Sequence, residues 1–308
     1  PGGKGGSTPL VSSVLMSGIP ASIAGVPRIC MVTPPAKDGS VNPHLLVAAD
    51  FVGIKEVFKT GSAWGIAALA YGTETIPKTD IIVGPGNIYV TLAKKLVSGT
   101  VGIDMIAGPS EILVIADESA NPEYVAADLL SQAEHDALAS SLFITTSPLL
   151  AREVNRAIDI RLNSLLRKDI ASASLSSYGG IIVVKSLDEA FLLSNRIAPE
   201  HLELMVADPF QWLGKINNAG AVFMGEYSPE PVGDYIAGPN HVLPTAGTAR
   251  FASALSVDNF IKKTSLIFYS KADLEKEAGH ILRLAQVEGL DAHAAAITAR
   301  IKRDAAES

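Results

Sequence analysis

The sequence predicts an α/β protein: two Rossmann-like parallel-sheet units with helices on both faces, followed by a small helical C-terminal segment. Apolar runs such as Ile112-Leu113-Val114-Ile115-Ala116 show no polar alternation, the pattern of strands buried on both faces. Between these runs lie stretches of helical spacing, opened by cap residues and proline, with Asn121-Pro122-Glu123 the clearest case. Strand and helix patterns alternate along the chain, which favours a parallel sheet over a sandwich or a bundle.

The chain opens on Pro1-Gly2-Gly3-Lys4-Gly5-Gly6-Ser7-Thr8. Lys4 is followed by Gly5 rather than Ser or Thr, so the P-loop pattern fails. Backbone amides leading into a helix could receive a cofactor's phosphates, and glycine for tight turning alone fits equally well. The loop should follow a strand, yet no strand and no initiator Met precede it. The chain is therefore expected to lack a natural N-terminal portion.

Helices are expected at 9–25, 43–53 and 61–71, and strands at 28–32, 56–59 and 80–83. The last strand ends in Gly84-Pro85-Gly86-Asn87 before a helix to about Val97. Ligands of parallel sheets bind beyond strand C-termini, where Asn87 would sit. Residues 102–111 read as a crossing into a second unit. Strands are then expected at 112–116, 142–145, 180–184 and 221–224, and helices at 121–136, 148–166 and 186–197. The Gly- and Pro-rich segment 225–250 is too long for an idle connector and is expected to be functional. From Val257 the pattern is mostly helical. The expected domains are 1–108, 109–255 and 256–308.

Composition narrows the function. The 308 residues are 48% hydrophobic and 6% aromatic, with a net charge of −7 and no basic clusters, which excludes nucleic acid as the expected partner. No apolar run reaches bilayer length, so no membrane partner is expected. A single cysteine excludes internal disulfides and fits a reducing compartment, here the cytoplasm. Cys30 lies in an apolar strand pattern, a poor setting for a reactive thiolate, and reads as structural.

Four groups of polar residues stand out. Gln132 and His135 are three apart at the end of one helical stretch, where an amide oxygen and an imidazole could share a metal or a hydrogen-bonded patch. Glu200 and His201 are adjacent at a helix-to-strand junction, where an acid and an imidazole suit proton transfer, although an exposed turn is the plainer alternative. Asp234 lies in the long loop. Glu288 and His293 flank a Gly289 break.

Ile106-Ala107-Gly108-Pro109-Ser110-Glu111, Asp128-Leu129-Leu130-Ser131-Gln132-Ala133-Glu134-His135, Pro199-Glu200-His201-Leu202, and Gly233-Asp234-Tyr235 with Pro239-Asn240-His241-Val242-Leu243-Pro244-Thr245 resemble the histidinol dehydrogenase family, and the resemblance runs from Pro1 to about Arg300. It implies a zinc-dependent homodimer that oxidises L-histidinol through L-histidinal to L-histidine with two NAD. It implies Gln132, His135, Asp234 and His293 as zinc ligands, Ser110 and Glu288 as substrate contacts, and Glu200 and His201 as the catalytic pair. The metal ligands and His201 would also contact substrate. Glu288 and His293 would come from the partner subunit, making composite sites. Their residue types suit zinc. Asn87 matches an NAD contact of the family. Trp64 stands where the family carries an NAD-contacting Gln, and the family's Tyr ahead of Pro-Gly-Gly would precede Pro1. Two other readings stay open: a relative acting on another hydroxymethyl substrate, and a non-catalytic metal-binding paralogue.

Overall fold

The computed structural model describes residues 9–301; the Gly-rich stretch 1–8 lies outside them. One compact unit runs to Ile261 and a second begins at Lys262.

The first unit starts with α1 (Val11–Ile23), β1 (Cys30–Val32), α2 (Pro43–Phe51), β2 (Glu56–Phe58), α3 (Ser62–Tyr71), β3 (Ile81–Ile82), α4 (Ile88–Val97) and β4 (Gly102–Ile103). Here β1 pairs with β2 and β3 with β4, both in parallel, giving two short pairs. Cap chemistry sets the helix starts. The Asn42 side chain accepts from His44 N–H ahead of Pro43, and the Asn87 side chain accepts from the N–H groups of Tyr89 and Val90. Ile66, Leu69, Ile82, Ala93 and Val97 pack one core here, with Cys30 and Val32 against it. Cys30 is half-buried and its thiol is pushed up by burial, in keeping with the structural reading.

A five-stranded, all-parallel sheet follows, built from β5 (Glu111–Ala116), β6 (Ser140–Thr145), β7 (Gly179–Val183), β8 (His201–Met205) and β9 (Ala221–Met224), in the order β7-β6-β5-β8-β9. Ile112 to Ala116 are all buried, as their unbroken apolar run requires. One face carries α5 (Pro122–Ala133) and α6 (Pro148–Leu162), with Val114, Leu129, Phe143 and Val154 between the layers. The other face packs Leu113, Ile115, Leu202 and Leu204 against Ala190 and Phe191 of α8 (Leu187–Ile197). No element was expected between the helix at 148–166 and the strand at 180–184, yet α7 (Lys168–Tyr178) lies there; it buries only Ala171 and Ser174 and so shows no apolar stripe. Within the long loop lies α9 (Glu230–Tyr235).

The second unit packs α10 (Lys271–Val287) against α11 (Asp291–Ile301). Ser270 caps α10, and Gly289, at φ +69°, turns the chain between the two helices as only glycine does without strain. Among the described residues no helix is long and apolar enough to cross a membrane.

Candidate active site

The junction between α8 and β8 places the adjacent acid and imidazole. The helix ends at Ile197, and Ala198 turns the chain in the left-handed region at φ 55°. β8 then begins at His201, in register with Ile112 of β5 and Ala221 of β9. Gly220 passes so close that a Cβ there would lie 2.6 Å from the Glu200 carbonyl oxygen. Both residues are buried, Glu200 6% and His201 5% exposed, so they are not the exposed turn of the plainer reading. They lie at the N-terminal edge of the sheet. Because α5 returns the chain from the end of β5 to the start of the parallel β6, its C-terminus brings Gln132 and His135 to this same edge.

Glu111, the first residue of β5, organises the pair. Its N–H donates to Glu200 Oε2 at 2.9 Å, and its carbonyl lies 2.9 Å from His201 Nδ1. A carbonyl only accepts, so the proton sits on Nδ1 and the lone pair of the neutral ring on Nε2. Burial lowers the His201 pKa to about 4, which keeps the ring neutral at physiological pH. Burial pushes the Glu200 carboxyl well above the usual range, and Glu111, Glu230 and Asp234 add to this by like-charge repulsion. The Glu111 side chain accepts from Ala246 N–H at 3.1 Å, while Gly108 N–H donates to Thr245 Oγ1, joining the 106–111 segment to the long loop.

The long loop adds the acidic wall. Glu230 and Asp234 stand one helical turn apart on α9, and Gly233 lets that helix close onto the ring of Phe223, 2.7 Å from where a Cβ would be. One ligand atom each of His201, Glu230 and Asp234 lie within 4.8 Å of one another, a grouping able to hold a cation. His241 Nδ1 lies 3.9 Å from Asp234 Oδ1, and its Nε2 is buried without a partner. Burial, then the Asp234 charge, lifts the Glu230 carboxyl to about 7. Behind it, Glu203 accepts from Glu230 N–H at 2.9 Å.

Of the residues expected from sequence, Gln132 is the most telling. It is 1% exposed, and neither its amide oxygen nor its nitrogen has a hydrogen-bond partner. A buried amide without partners costs about 1–3 kcal/mol, and a cation would satisfy the oxygen. With the imidazole and carboxylates of His201, Glu230 and Asp234, the donor types present fit a metal ion, while His135, expected as a ligand, is not among the three groups within 4.8 Å of one another. The expectation that Gln132 and His135 share one helix needs correction. α5 stops at Ala133, because Asp136 accepts from Leu138 N–H through its side chain and from Ala139 N–H through its carbonyl, forming a competing turn. His135 sits in that turn, its N–H on the Gln132 carbonyl, with its charge acting on His201.

Ser110 immediately precedes β5 and is half-buried beside Glu111. Asn87 caps α4 beyond the end of β3, its side-chain oxygen accepting from the N–H groups of Tyr89 and Val90. Trp64 lies in the first turn of α3 and is 78% exposed. Glu288 is the C-cap of α10 and His293 lies in α11, both in the second unit. Sequence reasoning missed Glu111, Glu203 and Glu230 and gave His241 no role. The Glu230–Asp234 spacing of four was the available signal for one of them.

The parallel α/β fold is shared with more distant proteins: an acetylating aldehyde dehydrogenase from Geobacillus thermoglucosidasius superposes with a TM-score of 0.51 at 11% identity, covering 79% of this chain and 70% of that one, a likeness of fold alone. The family is set by nearer similarity. The chain belongs to the histidinol dehydrogenase family, whose model matches residues 2–301. It is 60% identical over 302 residues to a histidinol dehydrogenase of Desulfotalea psychrophila, covering 98% of this chain and 70% of the relative. A crystal structure of histidinol dehydrogenase from Elizabethkingia anophelis matches with a TM-score of 0.92 at 46% identity, over 97% of this chain and 69% of that one. This chain is accordingly an oxidoreductase.

Proposed function

We propose that this chain oxidises L-histidinol to L-histidine in two hydride transfers to NAD, with zinc as the resident metal, as a cytoplasmic homodimer in histidine biosynthesis. The observation that carries the reading is the buried Glu200–His201 pair with the His201 proton held on Nδ1. The same reading assigns 1–108 to NAD, 109–255 to most of the chemistry, and 256–308 to completing the site of a second copy through Glu288 and His293.

Gln132, His135, Asp234 and His293 would hold the zinc, which when bound supplies a positive anchor for substrate nitrogen atoms. The reading keeps His201 out of that set because its Nε2 is needed as a base. In the first step His201 Nε2 takes the hydroxyl proton as the carbinol carbon gives its hydride to NAD, leaving an aldehyde and NADH. Glu200 then takes a proton from water as the water adds to the aldehyde carbon, while protonated His201 gives its proton to the aldehyde oxygen, so that a gem-diol and a neutral His201 result. The diol is again an alcohol, so His201 takes one of its hydroxyl protons while the second hydride leaves to a second NAD. The acid is the product. A raised Glu200 pKa brings this carboxyl towards the operating pH, where a general base works best. Ser110 would contact substrate, Asn87 would contact NAD, and Trp64 would lie beside the NAD site.

The experiment is to incubate the protein with zinc, NAD and L-histidinol and to count NADH formed. Two per histidinol, abolished by chelation and restored by zinc, is the expected result. Turnover of a different alcohol but not of histidinol would overturn the substrate, and full activity without metal would overturn the zinc assignment.

A further inference from the structure

Away from the acid–imidazole cluster, one ion pair is almost wholly buried. The side chains of Lys94, on α4, and Asp104, just past β4, are 4% and 0% exposed. The two are bonded to each other, and both also grip the same residue. Lys94 Nζ donates to the Gly84 carbonyl at 3.0 Å, and Gly84 N–H donates to Asp104 Oδ2 at 2.7 Å. Asp104 Oδ1 also accepts from Met105 N–H at 2.7 Å, so both of its oxygens are engaged. Gly84 sits at φ +110°, a conformation that L side chains rarely adopt, and it opens the Gly84-Pro85-Gly86-Asn87 loop beyond the end of β3.

A buried ion pair contributes little stability over an apolar pair of the same volume, so what this one supplies is geometry. It fixes both backbone polar groups of the residue on which the loop turns, three residues before Asn87. It also ties that loop to the segment running toward the other residues of the site. Asp104 leads through Met105, Ile106 and Ala107 to Ser110 and Glu111, and Thr91 of α4 donates to the Ala107 carbonyl at 3.1 Å. Displacing the pair would free the loop and this segment from each other.

We propose that Lys94 and Asp104 are positioning residues, a clamp that sets the 84–87 loop at the height where NAD is gripped and holds it in register with the segment carrying Ser110. The inference rests on the NAD reading above, so the test begins with calorimetric titration of NAD into the unaltered protein, which needs no turnover. An unaltered protein that binds no NAD overturns the NAD reading and the clamp together. Given binding, the decisive variant is the apolar double replacement Lys94→Met with Asp104→Leu, which fills the volume but cannot hold Gly84. It should fold, weaken NAD binding by about tenfold, which is about 1.4 kcal/mol, raise the Michaelis constant for NAD similarly, and leave that for histidinol within about twofold. Should the double variant not fold, Asp104→Asn carries the test, because it keeps the side chain's size and one acceptor oxygen while losing the charge and the second acceptor. It should weaken NAD binding by a smaller factor. An unchanged NAD dissociation constant in a folded variant overturns the clamp while leaving the activity reading intact. Equal loss for NAD and histidinol would mark the pair as general scaffolding and also overturn it.

Discussion

At the C-terminal edge of β3, Lys94 and Asp104 bury opposite charges whose partners include both polar groups of Gly84. Towards the N-terminal edge of β5 and β8, Asp128, Glu200, Glu203 and Glu230 crowd carboxyls into a buried space, with half-buried Glu111 and Asp234 at its margins. No Lys or Arg ion pair joins them among the described residues, and buried atoms of Gln132, His241, Glu111 and Glu203 lack partners. The first region is fully satisfied, every polar group of the pair having a partner. The second departs from the rule that buried polar groups are paired, and such departures concentrate where a protein does chemistry. The edges also differ in their relation to the sheet rule. Asn87 stands where the rule expects ligands, beyond a strand C-terminus, whereas Glu200 and His201 stand at the opposite edge, placed there by the α8–β8 junction.

The largest effects should come from breaking the unsatisfied region at Glu200 and His201, the proposed catalytic pair. Glu200→Gln keeps the size of the side chain and the oxygen facing Glu111 N–H but loses basicity. It should slow oxidation of L-histidinal by about 10²–10⁴-fold, the usual worth of general-base assistance, and the histidinol step far less. His201→Asn should slow both steps, since each hydride departure needs a hydroxyl proton removed. Single-turnover NADH formation, started separately from the alcohol and from the aldehyde, separates them. Equal losses in both assays for Glu200→Gln would reduce Glu200 to a positioning group.

These two residues were legible in the sequence as a motif and as an acid–imidazole neighbour pair. Their environment was not. Strands such as β5 announce themselves through an unbroken apolar run, and capped helices such as α5 through Asn121 and Pro122. The end of α5 was misread because the competing turn at Asp136 depends on a side-chain acceptor that helical periodicity does not register. α7 stayed hidden because its buried residues are an alanine and a serine. Glu111 and Glu203 act through contacts that span tens of residues in sequence, which no local pattern records: Glu111 N–H to Glu200 and Glu203 to Glu230 N–H.

A second prediction concerns the cost of the carboxyl crowding. Burial raises the Asp128 pKa from 3.8 to about 6, and raises that of Glu203, which also feels the Asp128 charge, well above its usual range. An acid whose folded pKa lies above its unfolded one binds its proton more tightly when folded. Its stabilising contribution is complete below about pH 4 and is lost as pH rises towards and past about 6. For Asp128 that loss is at most about 3 kcal/mol. Asp128→Asn should therefore gain stability relative to the unaltered protein between about pH 4 and pH 7, with the gain flat above. Urea unfolding of metal-free protein across that range measures it, and a difference independent of pH would show that Asp128 carries no such cost.

Gln132 sharpens the same contrast on a smaller scale. If its amide is held unpartnered for a metal, Gln132→Leu should stabilise the metal-free protein by about 1–3 kcal/mol, the penalty of an unsatisfied buried group, while weakening zinc binding. Thermal unfolding with chelator and with zinc should then move in opposite directions. A variant destabilised under both conditions would mean that the amide is satisfied by something other than a metal.

The smallest effect belongs to the satisfied side of the molecule, at Trp64. An indole in the core would make any substitution a folding defect, but Trp64 is 78% exposed in the first turn of α3, so Trp64→Gln should leave the unfolding temperature nearly unchanged. The indole offers a single N–H donor, where a glutamine amide offers both a donor and an acceptor to a cofactor. One hydrogen bond gained at an exposed site is worth about 0.5–1.5 kcal/mol, so the Michaelis constant for NAD should fall by a factor of roughly two to ten, with that for histidinol unaltered. If the constant for NAD instead rises, the indole face itself is a stacking surface for the cofactor. The first turn of α3 would then contribute contact area rather than a missing hydrogen bond.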